Sequence, residues 1–186
     1  MHLSKNKILG FGLIVLSLFY PFIIYFFGGQ VPGSYLIAGV LSVMLLRSFL
    51  ARDKHLFYMS LLIAGLMLCL NVLNDSLAPM LYPVVMSLAI ASMMGLSLIY
   101  PPSMIERFAR ITEPNLDSDG VRYTRTATKV WLAFGLINAC ISLFTVVLGD
   151  RTIWVLYNGC ISYILMGLLL GGEYIVRHYY KAKLAK

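Results

Sequence analysis

The sequence predicts an all-α protein, a polytopic bundle of six transmembrane helices with both termini on the cytoplasmic side. A short cytoplasmic interfacial helix is expected between the fourth and fifth spans. Three observations carry this. The 186 residues are 60% hydrophobic and only 12% charged, where a soluble domain would carry about a quarter charged residues. The apolar residues come in six blocks, each close to the length a bilayer requires. The cationic residues fall almost wholly in alternate connections between those blocks.

The blocks run Ile8–Phe27, Val31–Leu50, Leu56–Leu73, Met80–Tyr100, Val130–Leu148 and Thr152–Gly172. About 20 residues at 1.5 Å each cross the hydrocarbon layer. The second block reaches that length if Arg47 extends its guanidinium to the interface and leaves its stem in lipid. The third is slightly short and has Asn71 near its end. The first follows a Lys-bearing start but is longer than a secretory h-region. Phe26-Phe27-Gly28-Gly29 is also a poor cleavage site, so an uncleaved signal anchor is expected. Residues 1–186 then form a single integral membrane domain with a cytoplasmic loop at 101–129.

Orientation follows from charge. Lys5, Lys7, Arg47, Arg52, Lys54, Arg107, Arg110, Arg122, Arg125, Lys129, Arg177, Lys181, Lys183 and Lys186 lie on one side, and only Arg151 on the other. Positive residues mark the cytoplasmic side, so both termini are expected inside; a bacterial inner membrane is the expected location. The net charge of +7 is thus dispersed along a membrane surface rather than gathered on a soluble basic face, and no nucleic-acid partner is expected. Tyr25, Phe26, Phe27, Tyr82, Trp154 and Tyr157 are expected at the outer interface, and Tyr100, Trp131, Tyr174, Tyr179 and Tyr180 at the inner one. The outer connections are too short to hold a periplasmic domain.

Within 101–129, Ser103 and Glu106 have capping-box spacing and should start a helix running to Ile111. Met104, Ile105, Phe108 and Ile111 would face lipid, with Glu106, Arg107 and Arg110 on the other side. The segment reads either as an amphipathic connector or as a place where Arg107 and Arg110 hold a phosphate or an acidic partner. Asp117-Ser118-Asp119-Gly120 has turn chemistry, and it lacks the later Glu of a calcium loop.

Polar residues within the spans are few. Asn71, Asn138 and Asn158 should face other helices, for packing or along a substrate path. Small residues recur at Ser87, Ala91 and Gly95, at Gly135, Ala139 and Ser142, and at Gly159, Gly167 and Gly171. These allow close helix packing within the chain or a helix-mediated oligomer. Glu173 and Arg177 have the favourable i, i+4 order for an interfacial ion pair. Cys69, Cys140 and Cys160 lie inside apolar blocks, where a buried thiol acts as a small hydrophobe. Neither a metal site nor a cofactor is expected, and no nucleophile–base pair or phosphate-binding loop nominates catalytic residues.

The segment Tyr100-Pro101-Pro102-Ser103-Met104-Ile105-Glu106-Arg107-Phe108-Ala109-Arg110, with Gly172-Glu173-Tyr174 and Arg177-His178-Tyr179, resembles a family of small bacterial inner-membrane proteins of unknown activity. That family is found beside acyl carrier proteins, ketosynthases, dehydratases and acyltransferases in clusters for aryl polyene pigments and related fatty-acid-like lipids. Some relatives are named after the ATP-hydrolysing component of DNA gyrase, an activity for which this chain has no ATPase domain. The family has no catalytic motif to carry over. The resemblance implies a non-enzymatic membrane accessory protein. Its partners would be membrane lipids and, on the cytoplasmic side, an acyl carrier protein or acyl-handling enzymes. Two other readings remain open: a transporter or flippase subunit lined by Asn71, Asn138 and Asn158, and a membrane-embedded acyl- or isoprenoid-processing enzyme using Glu173 and Arg177.

Overall fold

A computed structural model describes residues 19–27, 30–51 and 54–184, and every regular element among them is a helix. These are α1 (Tyr20–Phe27), α2 (Gly33–Ala51), α3 (Lys54–Leu73), α4 (Ala78–Ile99), α5 (Met104–Thr112), α6 (Ser118–Val147), α7 (Arg151–Leu156) and α8 (Ser162–Leu184). A π-helical turn, Tyr157–Ile161, joins the last two. The Lys5 and Lys7 flank, the first expected span before Phe19, the Gly28-Gly29 turn, Arg52 and Lys186 lie outside the described residues. So do the side chains of Arg47, Lys54, Tyr179, Tyr180, Lys181 and Lys183.

Three helical runs are long and apolar enough to cross a membrane: Ala78–Ile99, Ser118–Val147 and Arg151–His178. The 22 residues of α4 rise about 33 Å, against a hydrocarbon layer of about 30 Å. They correspond to the fourth, fifth and sixth expected spans. The second and third correspond to shorter apolar stretches, Gly33–Leu46 and Ser60–Leu73.

Two boundaries differ from expectation. The segment 101–129 is not one loop, because α6 begins at Ser118, twelve positions before Val130. Its start is set by Asp117, whose Oδ1 accepts the Gly120 amide at 2.7 Å. The expected Asp-Ser-Asp-Gly turn is instead a helix N-terminus, since the aspartate chemistry that closes a turn also caps a helix. Gly120 leaves room for Leu116, whose Cγ would stand 2.8 Å from any added Cβ. At the other end, α8 continues past Gly172 to Leu184.

Polar side chains share the interior with an apolar core, and large apolar side chains cover much of the outside. Ser87, Ser97, Thr124, Thr128, Asn138, Ser142, Thr145, Asn158 and Ser162 are buried, while Leu96, Ile99, Ile137, Phe144, Ile164 and Leu168 are exposed. Water would drive the opposite arrangement, whereas hydrocarbon makes internal partners for hydroxyls and amides the favourable choice. Cys69, Cys140 and Cys160 are on this outer surface, which corrects the expectation of burial. The thiol is apolar enough to face lipid.

The chain divides into two compact units, Met1–Met86 with Ser142–Gly159, and Ser87–Ile141 with Cys160–Lys186. In the first, α2 packs on α3 and α1 on α7. Pro83 lies inside α4 and has no amide to donate to the Pro79 carbonyl four residues back. Tyr20 Oη donates to that carbonyl at 2.8 Å, and Trp154 Nε1 donates to the next one, Met80, at 3.1 Å. Trp154 is 0% exposed, and Tyr82 and Tyr157 are also buried. All three rings are packed between helices. Tyr82 meets Tyr20 edge-on, with centroids 4.6 Å apart.

Caps in trans hold this unit as well. Asp75 accepts the amides of Gly33 at 3.0 Å and Ser34 at 2.7 Å, closing the start of α2. Asn74 Oδ1 accepts Ser76 and Leu77 amides ahead of α4, and Asp150 caps α7 through the Thr152 and Ile153 amides. Gly149 takes φ +72° before that cap, a conformation disfavoured for side-chain-bearing residues. At the π turn, a Cβ on Gly159 would lie 3.1 Å from the Phe22 ring.

Candidate functional site

In the second unit, the expected site residues converge where α4 passes into α5 and α5 lies on α6. Pro101 and Pro102, joined by a cis peptide bond, end α4. Ser103 then takes an extended conformation and α5 begins. One half of the expected capping box forms, with the Ser103 amide donating to Glu106 Oε2 at 3.4 Å. Ser103 Oγ is buried and makes no hydrogen bond. Two hydroxyls from neighbouring helices take the other free amides of the first turn. Met104 donates to Ser97 Oγ at 2.9 Å, and Ile105 to Thr128 Oγ1 at 3.3 Å. These bonds fix α5 against α4 and α6.

Glu106 is buried and accepts Arg110 Nε at 3.0 Å and Nη2 at 2.8 Å on one oxygen. Arg110 Nη1 also donates to the Pro114 carbonyl at 3.1 Å. Arg107 donates through Nε to the Pro102 carbonyl at 2.9 Å and through Nη2 to Tyr100 at 3.4 Å. Arg125 Nη2 reaches the Leu98 carbonyl at 3.3 Å. Two guanidiniums therefore cover the carbonyl end of α4, where unpaired acceptors and the helix dipole favour cations.

Arg107 and Arg110, which one of the two sequence readings has holding a phosphate or an acidic partner, both make hydrogen bonds within the chain, as does Glu106. The exposed residues of α5 are Arg107 and Thr112 with two large apolar ones, Phe108, 57% exposed, and Ile111, 76% exposed. Inward burial of Glu106 and Ala109 is what turns those apolar groups out. A cavity of about 440 Å³ lies beside the turn, lined by Ser97, Pro101, Pro102, Ser103, Glu106, Arg110, Val121 and Arg125. Ser97, Ser103, Glu106, Arg110 and Arg125 supply the polar groups in walls that are otherwise apolar.

Glu173 and Arg177 are not paired with each other. Glu173 Oε2 accepts the Trp131 indole N–H at 2.7 Å, and Arg177 Nη2 is 3.8 Å from Glu113. The i, i+4 spacing made their pairing available, but α6 and α5 bring other partners closer. Trp131 is itself buried. Nothing in sequence spacing marks Trp131 or Glu113 as partners, because both relationships are made only by packing.

The three amides serve different ends. Asn138 Nδ2 donates to Ser87 Oγ at 2.9 Å. Asn158 accepts from Ser142 at 2.7 Å and donates to Thr145 at 3.2 Å and to the Trp154 carbonyl at 2.9 Å. Asn71 Oδ1 is buried without a partner. The small-residue stripe of α4 is used in packing, since a Cβ on Gly135 would stand 3.1 Å from Ala91. Gly167 and Gly171 meet nothing within 4 Å.

Fold and site define an all-helical protein with at least three helices fit to cross a membrane and a polar, arginine-capped turn at the end of one of them. Compared with known protein families, curated proteins and solved structures, the chain matches none.

Proposed function

We propose that this is an integral protein of a bacterial inner membrane, crossing six times with both termini cytoplasmic, that supports biosynthesis or assembly of a lipid-like product without catalysing a step. Aryl polyenes or related fatty-acid-like lipids are the product class. The α5 helix is the element that meets an acyl carrier protein or an acyl-handling enzyme at the membrane surface. The observation that supports this is the state of α5: a helix pinned by Ser97, Thr128 and the Glu106–Arg110 pair, yet presenting Phe108 and Ile111 outward. Such a face is stable in the headgroup layer or against an apolar partner surface. The remaining exposed cations of this end attract acidic carriers over a Debye length.

Deletion in a producing host, followed by analysis of membrane-extracted product, tests the reading. Loss of product with the soluble enzymes intact is expected, and Phe108→Asp with Ile111→Asp should reproduce it while the protein still accumulates in the membrane. An unchanged product profile in the deletion strain would remove the proposal.

A further inference from the structure

Away from the α5 turn, α6 and α8 bound a second cavity of about 290 Å³, with Ala127, Val130, Leu168, Leu169 and Val176 as its apolar walls. Its polar groups are Tyr123, Thr126 and Glu173. Both helices belong to runs fit to cross a membrane, and Leu168 and Val176 are exposed, so the medium reaching this groove is lipid. Gly172 lines it and a Cβ there would meet nothing within 4 Å, which leaves the groove floor open. The volume is near the lower limit for a small-ligand site, enough for part of one acyl chain.

The carboxylate of Glu173 makes the groove selective. A carboxylate is an acceptor with about four hydrogen-bonding positions. Here one oxygen holds the Trp131 indole at 2.7 Å, and that bond fixes the group against the groove wall. In a low-dielectric medium the remaining capacity calls for a donor, preferably a charged one. One turn further along α8 stands Arg177, partly exposed and only loosely paired with Glu113 at 3.8 Å. Arg177 is thus turned to Glu113 and recognition in the groove falls to Glu173, a carboxylate at the end of an apolar groove, which matches a headgroup carrying a donor-bearing ammonium.

We infer that the α6–α8 groove holds an acyl chain of a phospholipid with a primary ammonium headgroup, its ammonium on Glu173. The inference rests on the membrane reading above and deepens it by naming a resident lipid class. A quaternary ammonium has no N–H to donate, and an anionic glycerol headgroup has no cation for Glu173. The site therefore distinguishes phosphatidylethanolamine from phosphatidylcholine and phosphatidylglycerol.

The chain has two tryptophans, so Trp154→Phe leaves Trp131 as a fluorophore beside the groove. This protein is reconstituted into phosphatidylcholine vesicles doped with chain-brominated phosphatidylethanolamine, phosphatidylcholine or phosphatidylglycerol. Half-maximal quenching of Trp131 is expected at about fivefold lower mole fraction for the ethanolamine lipid, the scale of one partly exposed ion pair. Glu173→Gln should bring the ethanolamine titration to the phosphatidylcholine value with helicity unchanged. If the Trp154 variant does not fold, the native chain corrected with Trp131→Phe gives the same comparison. Equal quenching by all three lipids overturns the inference, as does a preference for phosphatidylglycerol or one that survives Glu173→Gln. Those results leave the membrane reading intact. A protein that stays outside the vesicles overturns both.

Discussion

Tyr20 donates its hydroxyl to the carbonyl of Pro79 at 2.8 Å, across 59 positions of sequence, and so fills the gap that Pro83 opens in the α4 hydrogen-bond ladder. In water such a carbonyl would be hydrated. In hydrocarbon its partner has to come from the protein.

Replacing Tyr20 by Phe should therefore lower stability by about 1 kcal/mol, the scale of one hydrogen bond between membrane helices. Pro83→Ala restores an amide to the ladder. In that background Tyr20→Phe should cost much less, and thermal unfolding of the four proteins in detergent measures the coupling. Equal costs in both backgrounds would remove the link between tyrosine and proline.

Asp75 caps α2 from another segment, so Asp75→Ala should destabilise by about 1 kcal/mol, while Asp75→Asn keeps an accepting oxygen and loses less. Gly33→Ala should be worse than either, because the added carbon would overlap the Asp75 carbonyl and lie 3.0 Å from Pro79 Cγ. Chemical denaturation with helicity as readout ranks the three, and a harmless Gly33→Ala would contradict the close approach.

Arg110→Ala leaves the buried Glu106 without its guanidinium. Breaking a buried pair costs about 3–5 kcal/mol, but Arg110 is half-exposed and solvent screening should reduce this to about 1–2 kcal/mol. Glu106→Gln retains an acceptor for the Ser103 amide and should be milder. Protease cleavage in 101–117 reports release of α5, and unchanged protection in Arg110→Ala would show that the pair does not hold the helix.

Asn158 satisfies Ser142, Thr145 and the Trp154 carbonyl together. Asn158→Leu should cost more than Asn158→Ala, because it adds bulk besides unpairing the Ser142 hydroxyl, with the alanine change costing about 1 kcal/mol. Thermal unfolding in lipid nanodiscs tests the order. A stable Asn158→Leu protein would argue that the amide is there for something other than packing.

Much of the helical plan is legible in the chain. The long apolar blocks at Met80–Tyr100 and Val130–Leu148 lie within α4 and within α6 and the residue after it, apart from the Tyr100 end. Ser103 and Glu106 mark the start of α5 because capping acts over three residues. Asp117 reads as a turn for the same local reason, since an aspartate accepting an amide looks alike in both settings. Glu173 shows where local reasoning stops. Its spacing to Arg177 is visible, but the nearer partner is an indole 42 positions away in sequence.

By itself, the sequence determined that these helices are apolar, that α5 starts after Ser103, and which connections carry positive charge, because those properties depend on composition and on neighbours within a turn or two. The tertiary structure decided which polar groups answer one another: Tyr20 with Pro79, Asp75 with α2, Arg107 and Arg125 with the end of α4, Trp131 with Glu173. In a medium without water each buried donor and acceptor needs a partner from the chain, and only packing sets which one is within about 3 Å.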